Sequence, residues 1–446
     1  MSELQMTSTR DRAVALWWLL GMLVVPFACQ LALLVPALNG YRVVFRTAAF
    51  AISLLALLFV PGRPQPNPVR LWLVSCLLIV MTMMMHTQTN SALSGLAQVT
   101  LYLAIMAPLF WVGRLRISPD TFFTVTLVFW LMSTASAVVG VLQTLYPGRF
   151  QMPITNEILR YGMAEGLKIT LADGSRMYRP TGLTDSPGGA SSAGFMAYVF
   201  GLGFLTTSKR WPLTISGAVA IGIGLYCIYI AQVRVHFILA LACTLIFCVG
   251  LVRFGRFGSA WRRLIILPLV LALSTTAAIQ VGGAQVTSRL ATLVADDPGA
   301  VYRKNRGQFL EEAFVRQLPT YPFGAGLGRW GMVRSYFGTE GNLNSPPIWV
   351  EIQFSAWVLD GGLPLLFCYS MATVLALAFT LRQASKCTDS RLKVWGLLVA
   401  GYSLSIIAVM FSYVPFIGQL GLEYWLLNAA YWTTVHFQGA RTQGLA

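Results

Sequence analysis

The stretch NSPPIWVEIQFSAWVLDGG, residues 344–362, sets two carboxylates, Glu351 and Asp360, among aromatic and aliphatic neighbours. A carboxylate so placed can take the proton of an attacking hydroxyl as general base. It can equally hold a guanidinium, such as that of Arg179 or Arg234, as an ion-pair partner. Nine residues along a helix amount to about 180° of rotation, so the two carboxylates do not form a paired site of glycosidase type. Asp360 reads as a structural residue that caps a turn or contacts a neighbouring helix.

Arginine is the other recurrent group. In RPTGLTDSPGGASSAGFM (179–196), Arg179 precedes a turn with Pro187, Gly188 and Gly189 and then a helix opening on small residues. Backbone amides at such a helix start, with an arginine beside them, suit an anion. In IAQVRVHFILA (230–240), Arg234 occupies a short turn between two hydrophobic helices, where a charge facing hydrocarbon costs several kcal/mol. Arg234 either serves a site or snorkels to the interface. His236, about 200° further round a helix, reads as structural. The run YRKNRGQFLEEAFVRQLPTYPFGAGLGRWG (302–331) contributes Arg303, Arg306 and Arg329, with Arg289 upstream. Guanidiniums grip phosphate oxygens in bidentate fashion and keep their charge, so a phosphate-bearing ligand is the chemistry these residues suggest. Singly, each also fits a basic face beside anionic headgroups.

Other chemistries find little support. There is no CxxC, HExxH or GxxxxGK[ST] motif, the seven cysteines imply no disulfide framework, and the three histidines are far apart, so neither a zinc site nor an ATPase is expected. The glycines of GAGLGRWG follow a proline turn rather than a strand, which makes them a tight turn near a site and not a dinucleotide fingerprint.

The elements that must position these residues are membrane helices. Of the 446 residues, 56% are hydrophobic and 11% charged, and the mean hydropathy is +0.66, outside the range of soluble domains. Runs such as LWLVSCLLIVMTMMM (71–85) do not alternate, so the expected fold is an all-α polytopic bundle and not a barrel. About 20 apolar residues make a span, and twelve are expected, at 13–36, 43–60, 71–88, 94–112, 121–146, 190–207, 212–231, 235–252, 264–280, 354–381, 394–411 and 417–436. The first reads as a retained helix rather than a signal peptide. Basic residues mark every second short loop, for instance Arg114 with Arg116 and Lys209 with Arg210, which puts those loops and both termini in the cytoplasm. Two long segments, 147–190 and 281–353, then fall outside, where function is expected to reside. The apolar residues Phe309, Leu310, Phe314 and Val315 suggest an amphipathic helix over 303–317 lying on the membrane surface.

In this order of features the chain resembles the O-antigen ligase and polysaccharide polymerase superfamily of bacterial inner membranes. The resemblance rests on Arg179 before a Gly/Pro turn, Arg234 at a short outer turn, Arg306 or Arg303 early in a large outer loop, PFGAGLG (322–328), and the acidic-Gly element at Asp360-Gly361-Gly362. It spans most of the chain from about residue 120. O-antigen ligases begin the last of these helices with His-Asn, nine residues before the acidic position. Glu351 followed by Ile352 stands there in this chain, which favours the polymerases. The resemblance implies a GT-C-like fold and a metal-independent glycosyltransferase without cofactor. Its donor is an undecaprenyl-pyrophosphate-linked oligosaccharide and its acceptor a glycan. Glu351 and Arg234 would be the catalytic residues, and Arg179, Arg234, Arg306, Arg303, Arg289 and Arg329 would bind pyrophosphate on the periplasmic face. A chain-length regulator is an admissible partner and nucleic acid is not. Two other readings stay open: a ligase transferring glycan to lipid A core, and a flippase for the same lipid-linked glycan.

Overall fold

The computed structural model describes residues 3–151, 167–254, 261, 263–291 and 297–442. Its principal helices are α1 (Glu3–Leu33), α2 (Arg42–Phe59), α3 (Arg70–Met83), α4 (Ala92–Met106), α5 (Pro119–Leu145), α6 (Gly189–Thr207), α7 (Trp211–Ile230), α8 (Arg234–Arg253), α9 (Leu267–Ala291), α10 (Gly331–Phe337), α11 (Gln353–Lys386), α12 (Ser390–Val409) and α13 (Gln419–Thr442). The chain is an all-α polytopic membrane protein.

Among the described residues, nine helices are long and apolar enough to cross a bilayer. Three expected spans fall outside that number, for different physical reasons. The 94–112 segment is α4 followed by Pro108–Arg114, bent by 44°, where Pro108 takes an amide out of the helical ladder. The 71–88 segment shortens to the 14 residues of α3, roughly 21 Å of helix against a hydrocarbon core of about 30 Å. The 417–436 segment is α13, which buries Glu423, Tyr424, Trp425, Asn428 and Tyr431 within the protein. It faces neighbouring helices more than lipid, so it need not be strongly apolar.

Small residues fix the helices that matter for the site. Gly194 of α6 lies against Gly224 of α7, where a Cβ on Gly224 would come within 2.3 Å of the Gly194 carbonyl oxygen. Such close backbone approach is a common means of helix association in lipid. It clamps the start of α6 beside the turn joining α7 to α8. Aromatic packing fills the other side: Trp357 stacks on Tyr369 at 4.6 Å, and Phe204 meets Trp395 edge-on at 5.0 Å, favourable geometries for rings.

The first long segment carries the one sheet among the described residues, an antiparallel hairpin of β1 (Lys168–Thr170) and β2 (Arg176–Tyr178) in the register Ile169 to Met177. An Asp173-Gly174 turn closes it, with the Asp173 carboxylate accepting from the Ser175 amide and hydroxyl at 2.9 and 2.6 Å. The hairpin docks through Ala172 N–H on the Val281 carbonyl (2.9 Å), where α9 is broken at Gly283. In the second long segment, residues 298–320 are helical but interrupted by two wide π-helical turns, Arg303–Gly307 and Glu312–Gln317. Each wide turn rotates the following side chains, so the four residues expected on one stripe do not share it. Phe314 packs on Phe354 at 5.8 Å, whereas Val315 is 64% exposed.

Candidate functional site

Charged side chains gather at the end of the bundle that carries the two long segments. Helix α2 opens RVVFR, which places Arg42 and Arg46 one turn apart on a single face. Both reach Asp185 in the loop before α6: Arg42 Nη2 donates to Oδ2 at 2.5 Å and Arg46 Nη2 to the same oxygen at 2.7 Å. The three side chains are mostly buried, with Asp185 only 5% exposed. Two guanidiniums thus share one carboxylate oxygen. None of these three residues stood out in the sequence. A signal was present, since two arginines inside the first turns of an apolar span are costly to keep without a use.

The Asp185 loop is held rigidly. Buried Gln143 accepts from the amides of Thr181 and Gly182 at 2.9 Å each and donates back to the Gly182 carbonyl at 3.1 Å, while Ser136 Oγ accepts from Leu183 N–H. The same fold-back corrects one expectation. The first amides of α6 (Gly189, Ala190 and Ser191) donate to the carbonyls of Ser186, Pro180 and Gly188. That helix start is satisfied within its own loop, so any anion held there is held by side chains. Arg179, half-buried, stands immediately before this loop, its amide on the Leu167 carbonyl.

The Gly188 cap of α6 lies against Val233, and the next residue is Arg234, the first of α8. Arg234 is half-buried and its buried Nε has no hydrogen-bond partner among the described residues. The turn that presents it is strained: Gln232 has φ +55°, a conformation that costs a non-glycine residue of order 1–3 kcal/mol and clusters at functional sites. His236 does not share the Arg234 role. Its Nδ1 pairs with Ser191 Oγ at 2.8 Å and its ring stacks on Phe195 at 5.9 Å, joining α8 to α6.

Glu351 lies in an extended segment just before α11, with its side chain 20% exposed. Oε2 accepts from Arg306 Nη1 and Oε1 from Trp349 Nε1 at 2.8 Å. Its arginine partner is therefore Arg306, not Arg179 or Arg234. The 410–414 turn packs against this part of the chain: Tyr302 donates to the Phe411 carbonyl at 3.0 Å and Phe354 packs on Phe411 at 4.8 Å.

Other expected site residues lie elsewhere. Arg303 is 76% exposed and 3.6 Å from Asp297. Arg289 belongs to α9, and its side chain lies outside the described residues. Arg329 is 3% exposed and spends its guanidinium on Gln88 Oε1 (2.9 Å) and the carbonyls of Ala325 (2.8 Å) and Pro346 (3.3 Å). It braces its own loop. The GAGLG glycines pack closely on the protein: Gly326, at φ +87°, sits where a Cβ would lie 2.6 Å from Gln88 C and Thr89 N, and Gly328 lies against the Ser94 side chain. This loop wedges between the α3–α4 turn and α11. Asp360 locks it from below, accepting from Trp330 Nε1 at 2.9 Å on one oxygen and from Tyr102 and Gln98 of α4 at 2.8 and 3.1 Å on the other. It contacts a neighbouring helix, as expected.

Chemically, then, the long-loop end offers guanidiniums for an anion and, in Glu351, a mostly buried carboxylate that solvent still reaches. Among the described residues, no three His, Cys, Asp or Glu side chains gather as a metal site. No protein-family model matches the chain, and no curated protein matches it either.

Proposed function

We propose that the chain is a glycosyltransferase of the bacterial inner membrane that polymerises undecaprenyl-pyrophosphate-linked oligosaccharide repeat units at the periplasmic face. The observation that carries this reading is the convergence of Arg42 and Arg46 on the rigid 180–188 loop, where the two guanidiniums share a single buried carboxylate and beside which Val233 leads into Arg234. A phosphate-bearing group answers that charge, and a membrane-embedded site answers a polyprenyl tail.

In this mechanism an acceptor hydroxyl attacks the anomeric carbon of the donor sugar, the bond from that carbon to the phosphate oxygen breaks, and undecaprenyl pyrophosphate leaves with the electron pair. The arginines stabilise the charge that grows on the leaving group, the electrostatic task a divalent ion performs in other enzymes. Arg306 exchanges Glu351 for the pyrophosphate when donor binds. Glu351 Oε2, now released, takes the hydroxyl proton, a role typically worth 10²–10⁴ in rate, while Trp349 keeps hold of the other oxygen. Arg179 borders the loop and Arg303 the rim, so they bind more weakly. Arg329 positions its loop.

The test is equilibrium binding of undecaprenyl pyrophosphate to the protein in nanodiscs. Arg234→Ala should weaken binding at least about tenfold, the worth of one charge-assisted hydrogen bond. Equal binding by wild type and the Arg46→Gln and Arg234→Ala variants would remove the pyrophosphate site from the account.

A further inference from the structure

At the opposite end of the bundle lies a cavity of about 690 Å³, within the size range of small-molecule sites. It is walled by the beginnings of α5, α7 and α12 and the far ends of α6 and α8, so it is separated from the arginine cluster by the length of α6. One side is apolar, with Leu127, Phe204, Leu213 and Leu251. The other carries Lys209, Arg210 and Arg391, and the Arg391 guanidinium lies over the Phe123 ring at 3.7 Å from its centroid.

Two carboxylates also border the cavity within the electrostatic reach of Arg391, so the three cations outnumber them by one, and each carboxylate has a further partner. Asp389 caps α12, its Oδ1 accepting from the amides of Arg391 and Leu392 at 2.8 Å each. Asp120 is 75% exposed and turned toward Arg12 at 3.8 Å. None of Lys209, Arg210 and Arg391 has a carboxylate within ion-pair distance among the described residues, whose ion pairs involve other cations. Trp211, the first residue of α7, is 73% exposed directly beside the Lys209-Arg210 pair. An exposed tryptophan at a helix end marks headgroup depth in a bilayer, and this places the cavity mouth where lipid headgroups lie.

We propose that this cavity is a binding site for one anionic phospholipid, its phosphate held by Lys209, Arg210 and Arg391 and its acyl chains laid along the apolar wall. Basic pockets between membrane helices recognise lipid phosphate in this way, and a soluble phosphate compound would leave the Leu127–Leu251 side unoccupied. The site is independent of the glycosyl-transfer reading and stands whether or not that reading holds.

The experiment is native mass spectrometry of the full-length protein, delipidated in mild detergent and titrated with phosphatidylglycerol or phosphatidylcholine. Wild type should retain one phosphatidylglycerol at concentrations where phosphatidylcholine is lost. Lys209→Gln/Arg210→Gln, at two exposed positions, should lower that retention at least about tenfold. Leu213→Trp, which fills the apolar side, should lower it as well with the thermal midpoint kept. Equal retention of both lipids, or undiminished retention by the double variant, overturns the proposal. So does displacement of the lipid by millimolar inorganic phosphate, which would make this a site for free phosphate.

Discussion

Replacing Asp185 by asparagine keeps the shape of the side chain and removes the charge that Arg42 and Arg46 share in a mostly buried setting. Removing one partner of a buried pair typically costs about 3–5 kcal/mol, mostly the penalty of the stranded charge. Asp185→Asn should fall in that range, because both guanidiniums lose the oxygen they share. Arg46→Gln should cost less, about 1–3 kcal/mol, the worth of one hydrogen bond to a charged group, because Arg42 still neutralises Asp185. In the double variant a single guanidinium remains, so part of the Asp185→Asn penalty should disappear. The combined loss should undershoot the sum of the single losses by about 1 kcal/mol or more. Reversible unfolding by dodecyl sulfate titration in mixed micelles measures all four corners of this cycle. Additivity within about 0.5 kcal/mol would show that the three side chains are not energetically coupled, and the idea of a shared carboxylate holding two arginines ready would be abandoned.

Further outcomes follow from other parts of the structure. Glu351→Gln should leave unfolding nearly unchanged, given the partly exposed position of the residue, yet cut glycan transfer by about 10²–10⁴; near-normal turnover would exclude the base role. Gly326→Ala forces a side chain onto φ +87° and into the Gln88–Thr89 backbone. It should destabilise the protein by at least about 1–3 kcal/mol, read as a lowered thermal midpoint, and a neutral effect would contradict the wedge. Asp360→Asn keeps one acceptor oxygen for the three donors it now satisfies and should cost about 1–3 kcal/mol, with increased amide exchange over 322–331. The Ser175 hydroxyl and amide hold the Asp173 carboxyl below its usual range. A carboxyl with a lowered folded pKa stabilises above its unfolded value, near 3.9, and that contribution is lost as pH falls through the folded value. The protection factors of the hairpin amides at 168–178 should therefore fall on acidification below about pH 4, and Asp173→Asn should flatten the dependence.

The helical membrane architecture was legible because hydrocarbon imposes long apolar runs that no other environment demands. Two of the expected spans differ in character from the nine long apolar helices: α13, expected at 417–436, buries polar residues against protein, and α3, expected at 71–88, is 14 residues long because the chain turns early into the 84–91 segment. Arg234 was legible as an isolated charge between two apolar helices. Arg42, Arg46 and Asp185 were not, because their meaning lies in a contact across about 140 positions of sequence, and neither partner looks unusual without the other. The glycine run was legible as a tight turn, but the sequence does not show what it packs on: Gly326, at positive φ, lies against the 88–89 backbone. Arg329 went the same way, since sequence shows a guanidinium but not the three neutral acceptors that occupy it.

The central claim is most directly tested by incubating the purified protein, reconstituted in liposomes, with an undecaprenyl-pyrophosphate-linked oligosaccharide and resolving the lipid-linked products by size. The account predicts a ladder of longer lipid-linked glycans formed without lipid A core, with release of undecaprenyl pyrophosphate, and its loss in Arg46→Gln and Arg234→Ala. Products seen only when lipid A core is supplied would make the chain a ligase. Transfer of the intact donor across the bilayer with no new glycosidic bond would contradict the account altogether.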